Sequence, residues 1–258
     1  MIKKIKNRLI KRFFVKKARI ENMYGRGKYK IYDKEFYYHH ENAFKCSFKE
    51  IIENEIYRFK PDSETPTIID CGVNMGLSLL FFTKNYPKSK IIAFEPDPTV
   101  LPTLDRNISV FMEGKDITLL KKAVWVEETE LDFFSDGGLG GRLQEEYKNK
   151  TPEKIKTVRL KSFLRSKVDF LKLDIEGAEY DVLMDCKNEL KNVDNVFVEY
   201  HSANNSTQKL DDILKLLKDS GFRYHLKESF SRDRPFIDKK IVCQRFDMAI
   251  NIFAYKKQ

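Results

Sequence analysis

The feature that most constrains this chain is a glycine turn set between an apolar strand and an apolar helix. Residues 67–76 read Thr-Ile-Ile-Asp-Cys-Gly-Val-Asn-Met-Gly, and the apolar run 77–82 follows directly. The β-branched residues favour a strand, the glycines allow a tight turn, and the apolar run predicts a helix that packs on a sheet. A second apolar segment, 91–94, predicts a strand that ends at Glu95. The pattern therefore predicts a βαβ unit with a ligand site at the turn.

The spacing of the glycines distinguishes between nucleoside ligands. A dinucleotide site needs G-x-G-x-x-G to bring a pyrophosphate against a helix N-terminus, whereas this turn reads Asp-x-Gly-x-Asn-x-Gly from Asp70 to Gly76. A carboxylate at this place favours a cationic group over a phosphate, and S-adenosylmethionine carries an ammonium and a sulfonium. Glu95, 19 residues after Gly76, is placed to accept hydrogen bonds from both hydroxyls of a ribose. We therefore expect S-adenosylmethionine as the cofactor.

The basic charge of the chain is concentrated at its N-terminus. The net charge is +9, but residues 1–19 hold nine Lys or Arg and no acid, which leaves 39 basic and 39 acidic residues in the remainder. A neutral body gives no reason to expect a nucleic-acid partner. The four cysteines show no Cys-x-x-Cys spacing, and neither a secretory signal nor a membrane-spanning run is present. We expect a cytoplasmic protein without a zinc site or a disulfide framework.

The same N-terminal segment has the pattern of an amphipathic helix. Its apolar residues recur at helical spacing, as Ile2, Ile5, Leu9 and Phe13. We predict a basic helix over residues 1–20 that contacts an anionic membrane surface. The alternatives are docking on the rest of the chain, self-association, an organelle presequence or a nucleic-acid arm.

The remaining chain divides into an extension and a larger domain. Residues 21–66 predict a short strand pair and a helix over 44–59, followed by a turn-rich connector at 61–66. We place the start of the main domain at Thr67 and its end at residue 258. Strand three of its sheet is predicted over 117–124, so that Ala123 lies at the strand end near an adenine edge.

Two loops are candidates for contact with an acceptor. Residues 135–142 hold four of the eleven glycines within five positions, which predicts either a mobile loop that closes over the site, with Arg142 as a charged contact, or an ordinary hairpin loop. The excursion 230–236 carries Arg232 and Arg234. It is expected to shape an acceptor pocket or to form a hairpin tip.

A second informative stretch joins a buried strand to an acidic turn. Residues 168–179 read Val-Asp-Phe-Leu-Lys-Leu-Asp-Ile-Glu-Gly-Ala-Glu. Three acids at the carboxyl end of strand four suggest a cationic ligand, a metal or raised pKa values, although Glu176 and Glu179 also suit the first turn of a helix. The next strand, over 195–201, ends in Glu199 and His201. His201 is our candidate general base.

Three motifs together resemble the FkbM-type family of S-adenosylmethionine-dependent methyltransferases: Asp-Cys-Gly-Val-Asn-Met-Gly, Phe-Glu-Pro-Asp at 94–97, and Lys-Leu-Asp-Ile-Glu-Gly-Ala-Glu at 172–179. The third motif is the most specific. The resemblance covers residues 67–255. It implies an α/β fold with the class I methyltransferase sheet, seven strands in the order 3-2-1-4-5-7-6 with strand seven antiparallel, and O-methylation of a hydroxyl on a sugar or polyketide.

The resemblance also implies roles for individual residues. The cofactor is expected to contact Asp70, Gly72, Asn74, Gly76, Glu95, Asp97 and Ala123. Catalysis is expected from Asp174, Glu199 and His201, either as base and orienting partner or as ligands of a divalent metal. Contacts to the acceptor are expected from Arg142, Glu176, Arg232 and Arg234.

The functional hypothesis is O-methylation of a sugar hydroxyl on a glycan or glycolipid, such as a lipid-linked precursor of a surface polysaccharide. The alternatives are a methyltransferase acting on RNA, on protein or on a polyketide-type small molecule. From another class, a nicotinamide-dependent sugar oxidoreductase needs a pyrophosphate turn that this chain lacks. A non-catalytic membrane module leaves the acids after strands four and five unexplained.

Overall fold

The computed structural model describes residues 26–135, 142–143, 151–238 and 246–256. The strands are β1 (Gly27–Ile31), β2 (Lys34–Tyr38), β3 (Thr67–Cys71), β4 (Lys90–Phe94), β5 (Asp116–Leu120), β6 (Ala123–Trp125), β7 (Glu130–Phe134), β8 (Arg142–Leu143), β9 (Glu153–Arg159), β10 (Val168–Leu173), β11 (Val193–Ala203), β12 (Phe222–Phe230) and β13 (Phe246–Lys256). The α-helices are α1 (Glu41–Ser47), α2 (Leu77–Asn85), α3 (Leu101–Phe111), α4 (Glu179–Asp185) and α5 (Leu210–Asp219). A π-helix spans Phe48–Glu53, and short 3₁₀ turns span Leu160–Phe163 and Leu190–Asn192. The helix expected at residues 1–20 and the glycines at 136–141 lie outside the described residues.

Seven strands form the central sheet in the order β5-β4-β3-β10-β11-β13-β12. Strand β13 is antiparallel to both of its neighbours, and the other adjacent pairs are parallel. Numbered along the chain, this is the order 3-2-1-4-5-7-6, so the predicted fold class is confirmed. The order reverses between β3 and β10, which makes the carboxyl ends of these two strands the expected place for a ligand.

Both faces of the sheet are covered, as the near-continuous apolar runs of its parallel strands predict. Successive residues of β3 point to opposite faces. Ile69 packs in the core with α4 and α5, whereas Ile68 packs in the core with α2 and α3. Helix α2 is buried on nearly every side, which explains why its sequence is apolar rather than amphipathic.

The segment before β3 packs on the α2 face of the sheet. Tyr57 is 3% exposed, and its ring centroid lies 4.9 Å from that of Phe197 in β11. The single helix predicted over 44–59 is wrong in its form, because the chain makes α1, then a π-helix that ends at Glu53. The wide turn is closed by the N–H of Asn54, which donates to the Lys49 carbonyl at 2.9 Å. The segment therefore contributes both to the core and, through the π-helix, to the ligand edge of the sheet.

Strand three is shorter than predicted. Strand β5 ends at Leu120, whose partner is Phe94, the last residue of β4. Because β4 offers no further partner, the chain turns at residues 121–122, and β6 pairs instead with β9 in a second, four-stranded sheet of order β6-β9-β7-β8. Ala123 is therefore the first residue of β6 and not the end of strand three.

Candidate active site

A cavity of about 650 Å³ opens at the carboxyl ends of the central strands. Its wall includes the turn after β3, Glu95 after β4, the acidic turn after β10 and the end of β11. It also includes parts of the π-helix and of β12. The topological switch point, the two sequence motifs and the cavity thus coincide.

Gly72 lies where the turn after β3 passes closest to the turn after β10. Its φ is +85°, and a Cβ atom at this position would collide with the carbonyl oxygen of Asp174. Glycine is therefore required here for space as well as for conformation. The N–H groups of Gly72 and Val73 both donate to the Phe94 carbonyl, at 3.0 and 3.2 Å, and Gly76 begins α2. These bonds hold the turn against the end of β4.

Glu95 lies in the cavity wall with both carboxylate oxygens held by backbone groups. Oε2 accepts from the N–H of Asn74 at 2.7 Å, and Oε1 accepts from the N–H of Asp97 at 2.9 Å. Burial raises the pKa of Glu95 to about 7, and these hydrogen bonds offset part of that effect. Each oxygen keeps acceptor capacity for a hydroxyl. The geometry is suited to the ribose role expected for this residue.

Asp97 and Ala123 also line the cavity. The Asp97 carboxylate is already engaged, because it accepts from the N–H and hydroxyl of Thr99 at 2.8 and 2.7 Å and from the Ser135 hydroxyl at 2.5 Å. Its visible role is to hold the turn that leads to α3. Ala123 belongs to an apolar part of the cavity wall that includes Phe94, Val100, Val124 and Phe133.

Asp70, expected to contact the cofactor, does not line the cavity. Its side chain is fully buried, and Oδ1 lies 3.3 Å from Nζ of Lys172, the residue opposite it on β10. Burial raises the pKa of Asp70, an effect that Lys172 partly offsets. Burial alone would lower the pKa of Lys172, but Asp70 and Asp174 raise it above its usual value. The cationic group that Asp70 faces is therefore Lys172.

Lys172 connects the two turns that border the cavity. Its Nζ donates to the Gly72 carbonyl at 2.9 Å and lies 3.4 Å from Oδ2 of Asp174. Sequence reasoning did not select Lys172 as a site residue. A lysine between the apolar residues Leu171 and Leu173 of a buried strand, two residues before an acid, was the available signal that a buried partner existed.

The acidic turn after β10 meets the end of β11 at His201. The imidazole Nδ1 lies 3.0 Å from Oε1 of Glu179, and Nε2 lies 3.7 Å from Oε2 of Glu176. Glu179 is 1% exposed and also accepts from the N–H groups of Ile175 and Gly177. Glu179 thus orients His201 from behind, while Glu176 and His201 line the cavity.

The electrostatics of this cluster favour a cationic ligand. Burial raises the pKa of Glu176 and the pKa of Glu199. Burial alone would lower the pKa of His201, but Glu176 and Glu179 raise it well above its usual value. The raised pKa of His201 favours its protonated form in this cluster. The expected role of His201 as base thus requires that it first lose this proton.

A metal ion is also compatible with part of the cluster. One ligand atom each from Asp174, Glu176 and His201 lies within 4.8 Å of the others. Two carboxylate oxygens and one imidazole nitrogen suit a divalent ion such as Mn²⁺ or Zn²⁺, with Glu179 orienting the imidazole. The expected set had Glu199 in the place of Glu176. One oxygen of Glu199 instead accepts from the Ser229 hydroxyl at 2.7 Å.

Two of the arginines expected at the acceptor, Arg232 and Arg234, do not line the cavity. Arg232 donates to Asn204 at 2.7 Å and pairs with Asp247 at 3.2 Å. Arg234 is 67% exposed and pairs with a neighbouring acid in its own loop. For Arg142 the structure describes the backbone in β8. Polar cavity residues that sequence reasoning missed are Lys49, Glu50, Asn54, Lys227 and Ser229.

Comparison with known proteins identifies the family of this arrangement. Residues 70–224 match the methyltransferase FkbM domain. Among curated proteins, methyltransferase sdnD of Sordaria araneosa is 28% identical over 211 residues, which cover 68% of this chain and 80% of that protein. The 2-O-methyltransferase NoeI of Sinorhizobium fredii is 25% identical over 162 residues, which cover 55% of this chain and 64% of that protein.

Solved structures show the same fold. A methyltransferase FkbM from Methylobacillus flagellatus aligns with a TM-score of 0.50 at 18% identity, covering 78% of this chain and 46% of that one. An S-adenosylmethionine-dependent methyltransferase from Agrobacterium tumefaciens aligns with a TM-score of 0.52 at 10% identity, covering 92% of this chain and 72% of that one. At these identities the likeness concerns the fold.

Proposed function

The chain belongs to the FkbM methyltransferase family, and from that premise we propose that it transfers the methyl group of S-adenosylmethionine to a sugar hydroxyl. The observation that carries the proposal is a single cavity with Glu95 and the glycine turn in one part of its wall and Asp174, Glu176 and His201 in another. The relative named a 2-O-methyltransferase supports transfer to oxygen.

The cofactor is proposed to lie across the switch point of the sheet. Glu95 accepts from the ribose hydroxyls, and the apolar side chains near Ala123 contact the adenine. The turn from Gly72 to Gly76 contacts the methionine portion. The excess of acids in the cavity attracts the sulfonium cation and leaves neutral S-adenosylhomocysteine sulfur less strongly held after transfer.

The chemistry is an in-line displacement at the methyl carbon. The acceptor oxygen attacks, the carbon–sulfur bond breaks with its electron pair returning to sulfur, and the hydroxyl proton passes to the cluster of Asp174, Glu176 and His201. Most of the rate enhancement is assigned to holding the oxygen about 3 Å from the methyl carbon, with proton removal as the second contribution.

A divalent cation at the same residues is a second way to activate the hydroxyl. Asp174, Glu176 and His201 would hold it, and it would supply Lewis-acid polarisation of the acceptor oxygens. The test is transfer activity after treatment with EDTA and after addition of Mg²⁺, Mn²⁺ or Zn²⁺. Activity that is insensitive to both treatments counts against the metal.

The acceptor is proposed to be a glycan carried by a lipid at the inner membrane surface. No helix in the described part of the chain is long and apolar enough to cross a membrane. The basic, amphipathic sequence of residues 1–19 is the segment proposed to contact the membrane surface. Deletion of that segment should reduce sedimentation with anionic liposomes and leave transfer to a soluble oligosaccharide intact. Unchanged sedimentation counts against the membrane contact.

The acceptor class is a separate question. Transfer to RNA, protein or a polyketide in place of any sugar would favour the alternatives to a sugar acceptor.

The first experiment is a calorimetric titration with S-adenosylhomocysteine, with NADH as the comparison ligand. We expect S-adenosylhomocysteine to bind and Glu95→Ala to weaken binding by at least about tenfold, because a charge-assisted hydrogen bond to the ribose is lost. A preference for NADH, or no binding of S-adenosylhomocysteine, would overturn the proposed function.

A further inference from the structure

Part of the cavity wall is built by residues outside the segment that matches the family. The match covers residues 70–224, whereas the wall also includes the π-helix before it and the outer half of β12 after it. Lining residues outside the match include Lys49, Glu50 and Asn54 before it and Lys227, Glu228 and Ser229 after it. A wall that is separate from the family's shared core is suited to selecting what this particular chain methylates.

Lys227 of this wall belongs to a row of three polar residues that crosses three neighbouring strands. Glu199 of β11 is paired with Asn251 of β13, and Asn251 is paired with Lys227 of β12. Directly paired residues present their side chains on the same face of a sheet. Glu50 of the π-helix lies over this row, with Oε1 3.4 Å from Nδ2 of Asn251 and 3.7 Å from Nζ of Lys227.

Glu50 and the row beneath it contain hydrogen-bond donors and acceptors whose interactions within the protein are weak or incomplete. The Lys227–Glu50 pair is half-exposed, with side chains 53% and 33% accessible, so the pair itself contributes little stability. Asn251 is fully buried, and its Oδ1 has no hydrogen-bond partner among the described residues. The π-helix that presents Glu50 is a rare geometry associated with functional sites. Glu50 and Lys227, which line the cavity, are therefore available to a ligand at low cost.

We propose that Glu50, Lys227 and the row beneath them form the acceptor subsite, and that it binds a sugar ring through adjacent hydroxyls. Each sugar hydroxyl both donates and accepts, so neighbouring hydroxyls can bridge the Glu50 carboxylate and the Lys227 ammonium together. At the β11 end of the row, Glu199 accepts from the Ser229 hydroxyl and lies two residues before His201 along the strand. The inference rests on the proposed function and adds the residues that determine acceptor specificity.

The test measures glycoside binding to protein saturated with S-adenosylhomocysteine. Methyl glycosides of hexoses, 6-deoxyhexoses and N-acetylhexosamines are screened by saturation-transfer difference NMR, and the strongest binder is titrated. We expect Glu50→Gln and Lys227→Gln each to weaken glycoside binding by about tenfold, with unchanged affinity for S-adenosylhomocysteine. The matched controls are Glu53→Gln in the same π-helix and Arg223→Gln in the same strand, both exposed and outside the cavity wall.

The outcomes separate this inference from the proposed function. Equal glycoside affinity in wild type and in both cavity variants would overturn the subsite, and absence of glycoside binding to the wild type would overturn the sugar class. Equal losses in the control variants would also overturn it, because the effect would then not be local. Failure of S-adenosylhomocysteine to bind the wild type would instead overturn the methyltransferase chemistry on which the subsite depends.

Discussion

Lys172 and Asp70 form an ion pair inside the central sheet, with 3.3 Å between Nζ and Oδ1 and with side chains 2% and 0% exposed. Because Lys172 also donates to the Gly72 carbonyl and approaches Asp174, one ammonium holds together the two turns that border the cavity. A buried pair of this kind adds little net stability, but breaking it leaves an uncompensated charge. Its function here is to position the site.

Replacement of Lys172 should show how strongly the fold depends on its buried ammonium group. Lys172→Met leaves Asp70 and Asp174 without their cation and should lower the free energy of unfolding by about 3–5 kcal/mol. The double variant Lys172→Met/Asp70→Asn removes both charges and should recover part of that loss. Urea unfolding measures both effects. A double variant less stable than Lys172→Met would contradict the assignment of the loss to an unpaired charge.

Replacement of Gly72 by alanine should lower the free energy of unfolding by more than the strain of its positive φ accounts for. Gly221 has a φ of +86°, close to the +85° of Gly72, but a Cβ atom there would meet nothing within 4 Å. Gly221→Ala should therefore cost about 1–2 kcal/mol of conformational strain. Gly72→Ala should cost more and also abolish binding of S-adenosylhomocysteine, because the Asp174 carbonyl must move. Urea unfolding and calorimetry check the pair, and equal behaviour of the two variants would refute the steric argument.

Cofactor affinity should depend on pH through Glu95. Its pKa is raised to about 7 by burial, so the carboxylate is protonated below that value and loses acceptor capacity for the ribose. Affinity for S-adenosylhomocysteine should fall by about tenfold in total as the pH is lowered from about 8 to about 6. Glu95→Gln should flatten the profile. Calorimetry at several pH values tests this, and parallel profiles for the two proteins would exclude Glu95 as the cause.

Substitutions in the cluster of Asp174, Glu176 and His201 should lower turnover much more than they weaken cofactor binding. Asp174→Ala and His201→Ala should each reduce kcat by about 10²–10⁴-fold, as expected for lost proton transfer, with affinity for S-adenosylhomocysteine nearly unchanged. Initial rates of methyl transfer to the best-bound glycoside give the measurement. Near-normal turnover in either variant would remove that residue from the proposed mechanism.

Much of the fold was predictable because it depends on local patterns. Local patterns predicted the βαβ unit, whereas the strand order and the antiparallel last strand were implied by the resemblance to the FkbM-type family and are confirmed. The end of strand β5 was predicted wrongly, since β5 stops at Leu120, opposite the last residue of β4, and does not continue to Val124. The π-helix was missed because Phe48 to Glu53 carries an ordinary helical pattern, and only packing against the sheet favours the wider turn.

Within the candidate site, it was easier to predict which side chains lie at strand ends than to predict the groups with which charged side chains pair. The motifs placed Glu95, Asp174 and His201 at strand ends, and the structure brings all three to one cavity. Their roles stay predictions. Arg232 and Arg234 were expected to contact an acceptor, but both are paired with acids in or beside their own loop. The sequence of a loop does not predict which acids its arginines will pair with in the folded protein.

The sequence by itself determined where the strands, helices and glycine turns lie along the chain, because their periodicity and turn residues are properties of short segments. Only the tertiary structure decided that Asp70 faces Lys172 and that Glu50 lies over Asn251 and Lys227. These partners are distant along the chain. They meet because strand register and helix packing bring their backbones together, and no local pattern carries that information.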